Sequence, residues 1–393
     1  MDRTALLKKL LVYCFVGTLF VGAVKNDSVN TFLKLLQSAK HDSEVSASVV
    51  DSEYSSAFSG KNTFVDLNGF IARLIGMQGY YMDMGMYVDD NRQVVTTSPE
   101  TSTDYEYDQL ADFNSFLREN NINLLYVNEP TKYVDDNYFE DQFGVKTYSN
   151  QNIDKLLNRL DEASIPYVDL RESIAEEGIE VSSLFYRTDH HWTTKAGLWA
   201  VKNIATGMNQ MCGYNIDESL FDIDKYDVKE WKKCWLGEYG RKVSVKYVGL
   251  DDYWEIKPKF STDYSFKNAD GTTTDGTFDT FINEDIYNTD TDVYESASWH
   301  YSYSQLNCIN NNVSDGKVLM LTDSYDCVTE PFLSLGVHEV DAIILRDQSE
   351  ENFDLRDYIL QNDYDTVLIC YAQFMVGAHD DETSANYRMF NFH

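Results

Sequence analysis

The stretch YRTDHHWTTKAG, residues 186–197, concentrates titratable groups in a chain that has only 7 histidines. Asp189, His190 and His191 are consecutive. In an extended segment, residues two apart project to the same side, so we expect Asp189 and His191 to face one site and His190 to point away. An aspartate that accepts from one imidazole nitrogen leaves the other nitrogen free to take a proton. The pattern predicts a general base that a carboxylate orients.

Ser324 is the candidate nucleophile for this base. The stretch KVLMLTDSYDC predicts a strand from Lys317 to Leu321, followed by a turn that contains Asp323 and Ser324. A turn at a strand end exposes a serine hydroxyl, and the backbone N–H groups that follow can bind an oxyanion. The alternative is that the Asp323-Ser324 pair only caps a helix.

The adjacent histidines also raise the possibility of a metal site. No third histidine lies near His190 and His191, and adjacent residues of a strand diverge. The sequence contains no CxxC pair, which disfavours structural zinc. We therefore expect neither a metal nor a cofactor, with metal-dependent hydrolysis as a competing hypothesis.

Composition bears on the class of partner. The 393 residues include 32 Lys+Arg and 65 Asp+Glu, a formal net charge of -33 that repels phosphate backbones. We expect no nucleic-acid partner. The 28 tyrosines of an acidic chain suit neutral or cationic glycans, although tyrosine is equally common in cores and strands.

The N-terminus resembles an export signal. Arg3, Lys8 and Lys9 precede an uncharged, mostly apolar run at residues 10–24, and a polar stretch follows. Cleavage after Ala23 and retention as a membrane anchor are both compatible with this pattern. We expect residues 1–24 to be a signal peptide or anchor of an exported protein, 25–62 a linker, and 63–393 the folded domain.

Hydrophobic periodicity predicts alternating helices and strands from residue 103 onward. Such alternation indicates an α/β fold, a parallel sheet flanked by helices. Residues 214–312 break the rhythm and predict an insertion of irregular β-structure or loops. The predicted helices are 103–121, 152–164 and one from Thr193 to about Gly213, and the predicted strands are 122–130, 165–170, 317–321, 341–347 and 365–374.

Polar residues after the late strands are candidate substrate-binding or oxyanion groups. Arg346 and Gln373 follow two of these strands, and active sites form at the carboxyl ends of open parallel sheets. Trp192 either floors the site or fills the core.

These motifs together carry a resemblance. The TDHHW stretch, a helix after it, and a late TDSY resemble the DHHW family of bacterial exported proteins, which is similar to the SGNH hydrolase-like proteins that acetylate alginate in the periplasm. The resemblance covers residues 63–380, in a motif order permuted relative to ordinary SGNH esterases. It implies Ser324 as nucleophile, His191 as base and Asp189 as orienter.

Two shorter stretches extend the resemblance, and one position departs from it. WLGEYGRK at residues 235–242 resembles a glycine-containing element of the family, and NEPTKY at 128–133 resembles an early loop, which makes Tyr133 a weaker candidate for substrate binding. Thr322 replaces the glycine that usually precedes the Asp-Ser or Thr-Ser pair.

The sequence therefore predicts an exported O-acetyltransferase or acetylesterase that acts on a cell-surface or secreted polysaccharide through an acyl-serine intermediate. A transferase would receive acetyl groups from a membrane-bound O-acyltransferase, as the resemblance implies. The alternative function is a non-catalytic glycan-binding or scaffold protein of the cell surface.

Overall fold

The computed structural model describes residues 61–79, 85–284, 292–294, 302, 307–348, 353–377 and 384–393. The chain divides into two compact units, Met1–Ile75 and Gly76–His393. The described part of the first unit is helix α1, Lys61–Leu74. Within the described ranges no helix is long and apolar enough to cross a membrane, and the apolar segment 10–24 lies outside those ranges.

The second unit is built on an eight-stranded sheet in the order β4-β3-β12-β10-β11-β9-β7-β8. The five strands from β4 to β11 run parallel, and β9, β7 and β8 continue the sheet in antiparallel pairing. The strands are β3 (Asn123–Glu129), β4 (Tyr167–Asp169), β7 (Tyr264–Lys267), β8 (Thr273–Gly276), β9 (Cys308–Asn310), β10 (Lys317–Leu321), β11 (Glu339–Ile343) and β12 (Thr366–Ala372).

Helices cover both faces of this sheet. The helices of the second unit are α2 (Asp104–Glu119), α3 (Asn137–Phe143), α4 (Ser149–Glu162), α5 (Leu170–Glu177), α6 (Thr194–Met211), α7 (Glu238–Val243), α8 (Val245–Val248), α9 (Glu330–Leu333), α10 (Leu355–Asn362) and α11 (Ala385–Met389). The core on one face contains side chains of α2 and α4, and the core on the other contains side chains of α5 and α6. The predicted α/β fold is confirmed.

Strand β3 shows why the central strands carry nearly unbroken apolar runs. Leu124 and Tyr126 belong to the core on one face, and Leu125 and Val127 belong to the core on the other. A strand buried on both faces has no solvent-facing positions for polar residues. Polar residues therefore collect where the strand ends, and Glu129 is the last residue of β3.

Helix α6 begins as the sequence predicts. The Thr193 hydroxyl accepts a hydrogen bond from the Ala196 backbone N–H at 3.2 Å, which satisfies one of the unpaired donors of the first turn. The helix starts directly after Trp192, so this cap also defines where the preceding histidine segment ends.

Residues 214–312 are more regular than the sequence predicts. Strands β5 (Tyr226–Trp235) and β6 (Asp251–Pro258) form a two-stranded antiparallel sheet, and β7, β8 and β9 extend the central sheet. The predicted insertion is therefore partly an extension of the main sheet. Strands β7, β8 and β9 are short, and they join the central sheet because β9 pairs with β11. Local periodicity does not reveal this contact.

A small hairpin is separate from the central sheet. Strands β1 (Met86–Val88) and β2 (Val94–Thr96) pair in antiparallel fashion. All five cysteines of the described residues are free thiols: Cys212, Cys234, Cys308, Cys327 and Cys370. The last three of these are buried.

Candidate active site

The segment that contains the two histidines is a tight loop. The Tyr186 N–H donates to the His191 carbonyl at 3.2 Å, and the Thr193 N–H donates to the Leu184 carbonyl at 2.7 Å, so the chain folds back on itself. Asp251, at the start of β6, forms hydrogen bonds with the tip of this loop. Its carboxylate accepts from the Thr188 N–H at 2.9 Å and from the Thr188 hydroxyl at 2.6 Å.

The structure brings Asp189, His191 and Ser324 together. Asp189 Oδ1 lies 2.5 Å from His191 Nδ1, and His191 Nε2 lies 2.9 Å from Ser324 Oγ. Asp189 and His191 are buried, whereas Ser324 is partly exposed. With Nδ1 donating to the carboxylate, Nε2 is the acceptor for the serine proton, which is the arrangement of an activated serine nucleophile.

Asp189 is prepared to remain ionised. Burial alone would raise its pKa, but the charge and hydrogen bond of His191, the charge of His190 and the backbone N–H of Glu238 together hold the pKa of Asp189 well below its usual range. The Glu238 N–H donates to Asp189 Oδ2 at 2.6 Å. A permanent carboxylate fixes both the tautomer and the orientation of His191.

Ser324 opens a short 3₁₀ turn, Ser324–Cys327, directly after β10. Asp323 caps this turn: its Oδ1 accepts from the Tyr325 N–H at 2.8 Å and its Oδ2 from the Ala372 N–H at 2.7 Å. As the first residue of the turn, Ser324 carries an N–H that has no acceptor inside the turn. Thr322 does not have a positive φ, so this backbone does not need the glycine that Thr322 replaces.

His190 lies in the site, contrary to the sequence prediction that it points away. Its ring centroid is 3.8 Å from that of His191, and its Nδ1 is 3.3 Å from Asp189 Oδ1. The alternation of an extended strand does not apply, because residues 187–190 form a bend that Asp251 holds. Burial first, and then the charge of His191, lower the pKa of His190 to about 3, so its ring is neutral near neutral pH.

A small pocket adjoins His190. Its cavity volume is about 20 Å³. The lining comes from six separate parts of the chain: Val94, Val95, Thr96, Thr131, Lys132, Tyr133, His190, Tyr239, Tyr325 and Phe374. A cavity of this size holds about one water molecule.

Lys132 is a buried amine at the edge of this pocket. Its Nζ donates to the carbonyls of Val94 at 2.8 Å and Arg187 at 3.3 Å, and so ties the β1–β2 hairpin to the histidine loop. Burial lowers the pKa of Lys132 to about 7, against the opposing effect of Asp251 and Asp189.

The other predicted site residues have different surroundings. The Gln373 amide is buried and donates to Ser149 Oγ at 2.9 Å and Asn150 Oδ1 at 3.0 Å, so no amide hydrogen is left for an oxyanion. Sequence reasoning placed Gln373 at the right strand end but not in a buried hydrogen-bond network. Arg346 is three-quarters buried, with Nε 3.8 Å from Asp347 Oδ1.

The aromatic candidates divide between core and pocket. Trp192 is buried and donates from Nε1 to the Tyr325 carbonyl at 2.9 Å, which makes it a core residue beneath the nucleophile turn. The Tyr133 ring lines the pocket, but its hydroxyl already donates to the Thr96 carbonyl at 3.0 Å. Tyr133 therefore offers substrate a ring face rather than a hydroxyl.

Donor atoms of Asp189, His190 and His191 meet closely enough to hold a metal ion. Both ring nitrogens of His191 already have partners, however: Nδ1 is hydrogen-bonded to Asp189 and Nε2 to Ser324. An ion would have to displace the hydrogen bond that orients the base. The residues present fit a proton relay better than a metal centre.

Two supporting features were not predicted. The N-terminus of α7 lies against the histidine loop, where the Gly237 N–H donates to Thr188 Oγ1 at 2.8 Å and the Glu238 N–H donates to Asp189. The glycines of the 235–242 stretch were the available signal. Glu129 lies buried beneath the nucleophile turn. The feature of the sequence that indicates it is an acidic residue at the end of an apolar strand.

Comparisons with known proteins agree with the fold. Residues 86–228 match the family model of the SGNH hydrolase-like domain of the acetyltransferase AlgX. No curated protein matches the chain. A structure of Bacillus cereus PatB1 with a sulfonyl adduct aligns at TM-score 0.61 and 18% identity, covering 78% of this chain and 97% of the PatB1 chain.

A second similar structure belongs to a protein of the DHHW family, whose motif this sequence contains. A DHHW family protein from Eubacterium siraeum aligns at TM-score 0.57 and 15% identity, covering 76% of this chain and 94% of its own. At such identities the likeness establishes the fold. The chain therefore has an SGNH hydrolase-like fold, and residues 86–228 match the SGNH hydrolase-like domain. The sequence predicts a more particular resemblance, to the DHHW family and to SGNH hydrolase-like proteins that acetylate alginate, and the matches agree with it.

Proposed function

We propose that the protein transfers a short acyl group through Ser324, as an exported O-acetyltransferase or acetylesterase. The observation that carries this proposal is the hydrogen-bonded line from Asp189 through His191 to Ser324, with separations of 2.5 Å and 2.9 Å. The match to an acetyltransferase family model supports the reaction class.

The chemistry follows from this geometry. His191 Nε2 takes the proton of Ser324 as Oγ attacks the acyl carbonyl carbon, and Asp189 stabilises the imidazolium. The tetrahedral intermediate breaks its bond to the leaving alcohol, which receives the proton from His191. Water or a sugar hydroxyl then attacks the acyl-serine, gives its proton to His191 and leaves with the acyl group as Ser324 is restored.

The Ser324 backbone N–H is the donor best placed for the oxyanion, since it begins the turn and has no acceptor within it. The adjoining pocket supports a small acyl group. A cavity of about 20 Å³ beside His190 favours a small acyl group over a long chain. Tyr239 and Phe374, which line it, add apolar walls.

We place the acceptor among cell-surface or secreted polysaccharides. The formal net charge of -33 favours a neutral or cationic glycan over a polyanion. Export rests on the apolar segment 10–24, and intact mass of the secreted form tests whether it is cleaved after Ala23. A membrane-bound O-acyltransferase is the proposed acetyl donor if the protein is a transferase.

The experiment is intact-protein mass spectrometry after incubation with a small activated acetyl ester. We expect the native protein to gain about 42 Da transiently, the mass of one acetyl group, or to turn the ester over. Ser324→Ala and His191→Ala should do neither. Because PatB1 is recorded with a sulfonyl adduct, a sulfonyl fluoride is a second probe, with the adduct expected on Ser324.

Ser115→Ala is the matched control, since Ser115 is exposed on α2 away from the site and should behave as native. Adding a sugar acceptor separates the two reactions: acetylated sugar indicates transfer, and acetate alone indicates hydrolysis. If native protein and both active-site variants are folded and equally inert, the catalytic proposal fails. Retained glycan affinity in Ser324→Ala would then favour the binding or scaffold function.

A further inference from the structure

Three carboxyl groups lie together beneath the nucleophile turn. Glu129 ends β3, and Asp323 and Asp326 flank Ser324 in the turn after β10. Their exposed fractions are 0%, 1% and 1%. Glu129 and Asp326 also lie beside the Cys370 thiol of β12, with carboxyl oxygens and sulfur all within 4.8 Å of one another.

The hydrogen bonds of these groups differ. Asp323 accepts two backbone N–H groups, from Tyr325 and Ala372. Asp326 accepts from the Asp323 N–H at 3.4 Å and from the Thr329 hydroxyl. Both carboxyl oxygens of Glu129 are buried without a hydrogen-bond partner.

No basic side chain neutralises the Glu129–Asp326 pair. Among the described residues, no ion pair includes either of them. Two adjacent carboxylates in a dry interior repel each other and each loses its hydration, so both cannot be ionised. Because Asp326 already accepts two hydrogen bonds and Glu129 accepts none, the proton belongs on Glu129.

We propose that Glu129 is a positioning residue: it remains a neutral acid and donates its O–H to Asp326, which fastens the nucleophile turn to the end of β3. The inference rests on the proposed function only in treating Ser324 as the nucleophile. Burial, and then the charges of Asp326 and Asp323, raise the pKa of Glu129 well above its usual range. The shift agrees with the proton assignment that the contacts give.

The titratable groups around the pair come from the turn, from β12 and, with Tyr126, from β3 itself. Asp323, Asp326 and Tyr325 face Glu129 from the turn, and Cys370 faces it from β12. Arg346 and His191 act on the more distant Asp323. Burial also keeps Tyr325 and Cys370 neutral, since it raises both of their pKa values.

This arrangement has a definite pH signature. Above the ordinary glutamate pKa the unfolded chain releases the Glu129 proton, whereas the folded chain keeps it until its raised pKa is reached. The folded state therefore binds one more proton over that interval, and stability falls as pH rises through it. Glu129→Gln removes the proton but keeps a neutral donor for Asp326.

The experiment compares native protein, Glu129→Gln and Glu129→Ala by thermal unfolding between about pH 5 and pH 8. We expect the Tm of Glu129→Gln minus that of native protein to increase steadily with pH. Glu119→Gln, at the exposed end of α2, is the control and should give a flat difference. Infrared spectra of the native protein should contain a protonated-carboxyl band that Glu129→Gln lacks.

Activity provides a second readout. With an acetyl ester, Glu129→Gln should keep kcat/KM within about threefold of native, and Glu129→Ala should lose about tenfold or more through a misplaced Ser324. A flat or falling Tm difference with no carboxyl band would overturn the inference, as would stoichiometric metal in purified protein. Since unfolding and infrared spectra need no turnover, they decide the inference even if the protein proves inert toward esters.

Discussion

Adjacent residues of the DHHW segment have different chemical environments. Both ring nitrogens of His191 are occupied, one by Asp189 and one by Ser324. The His190 ring lies beside it at a tilt of 39°, is neutral near neutral pH and lines the pocket. One histidine is thus positioned to move a proton and the other to contact what enters the pocket.

Lys132 gives a stability prediction at this scale. Its pKa is lowered by burial from 10.5 to about 7, so between those values the unfolded chain binds a proton that the folded chain lacks. The contribution of Lys132 to native stability should therefore rise with pH over this interval, by at most about 1.4 kcal/mol per pH unit. Lys132→Met should lack this rise, as measured by urea unfolding at about pH 6.5, 8 and 9.5.

The matched control is Lys155→Met on α4, where the lysine side chain is 43% exposed. Its unfolding free energy should follow the native pH dependence. Parallel curves for native protein and Lys132→Met would show that Lys132 keeps its proton in the folded state.

Some site residues can be predicted from the sequence, and others cannot, for physical reasons. Asp189, His191 and Ser324 follow from residue type and chain order, which are written in the sequence. The position of His190 depends on a bend that Asp251 holds from β6, about sixty residues away in the chain. Gln373 was misjudged because its amide partners, on α4, come from a contact between distant segments.

At the scale of elements, the N-terminus of α7 acts as a support for the base. Three backbone N–H groups, of Gly237, Glu238 and Gly240, bind the histidine loop at Thr188 and Asp189. A Cβ at Gly237 would lie 2.4 Å from the Asp189 Cβ and 2.5 Å from the Thr188 carbonyl oxygen. Only glycine permits this approach.

Gly237→Ala should therefore displace Asp189 and lower kcat/KM for an acetyl ester by about tenfold to a hundredfold. The measurement is ester turnover beside a Tm that confirms folding. Glu238→Ala is the control, because it keeps the backbone N–H and removes only an exposed side chain. Equal activity in both variants would mean that the loop does not need this support.

Elements with strong local periodicity were predicted well. Helix α2 and strand β3 lie where the spacing of Leu110, Phe113 and Leu117 and the apolar run after them place these elements. The sequence pattern of strands β7 to β9 predicts irregular β-structure or loops, because β8 carries mostly exposed polar residues and β9 has only three residues. Their place in the sheet comes from long-range pairing, which no local window contains.

At the scale of the whole molecule, the sheet joins segments that are far apart in the chain. Ser324 follows the parallel strand β10, whereas His191 lies on the loop that precedes α6, and the two side chains meet although 133 residues separate them. The turn after β10 lies at the carboxyl end of the parallel strands, where active sites form in open parallel sheets.

The charge of the whole molecule gives a further prediction. A formal net charge of -33 destabilises the compact state through self-repulsion, which salt screens as the Debye length falls from about 30 Å at 0.01 M to about 8 Å at 0.15 M. We expect Tm at neutral pH to rise by roughly 2–5 °C between these salt concentrations. Differential scanning calorimetry measures it.

The same salt series near the isoelectric point of ≈ 4.4 is the control, because net charge there is close to zero. The Tm should then change little with salt. A salt effect of equal size at both pH values would assign the stabilisation to something other than charge repulsion.

The five free thiols bear on what happens after the fold is lost. In the native state, burial keeps Cys308, Cys327 and Cys370 away from oxidants. Heating exposes them beside Cys212 and Cys234, and exposed thiolates then form disulfides that the native chain does not contain. We therefore expect thermal inactivation to be irreversible in air and largely recoverable in a reductant, as activity after heating and cooling would measure.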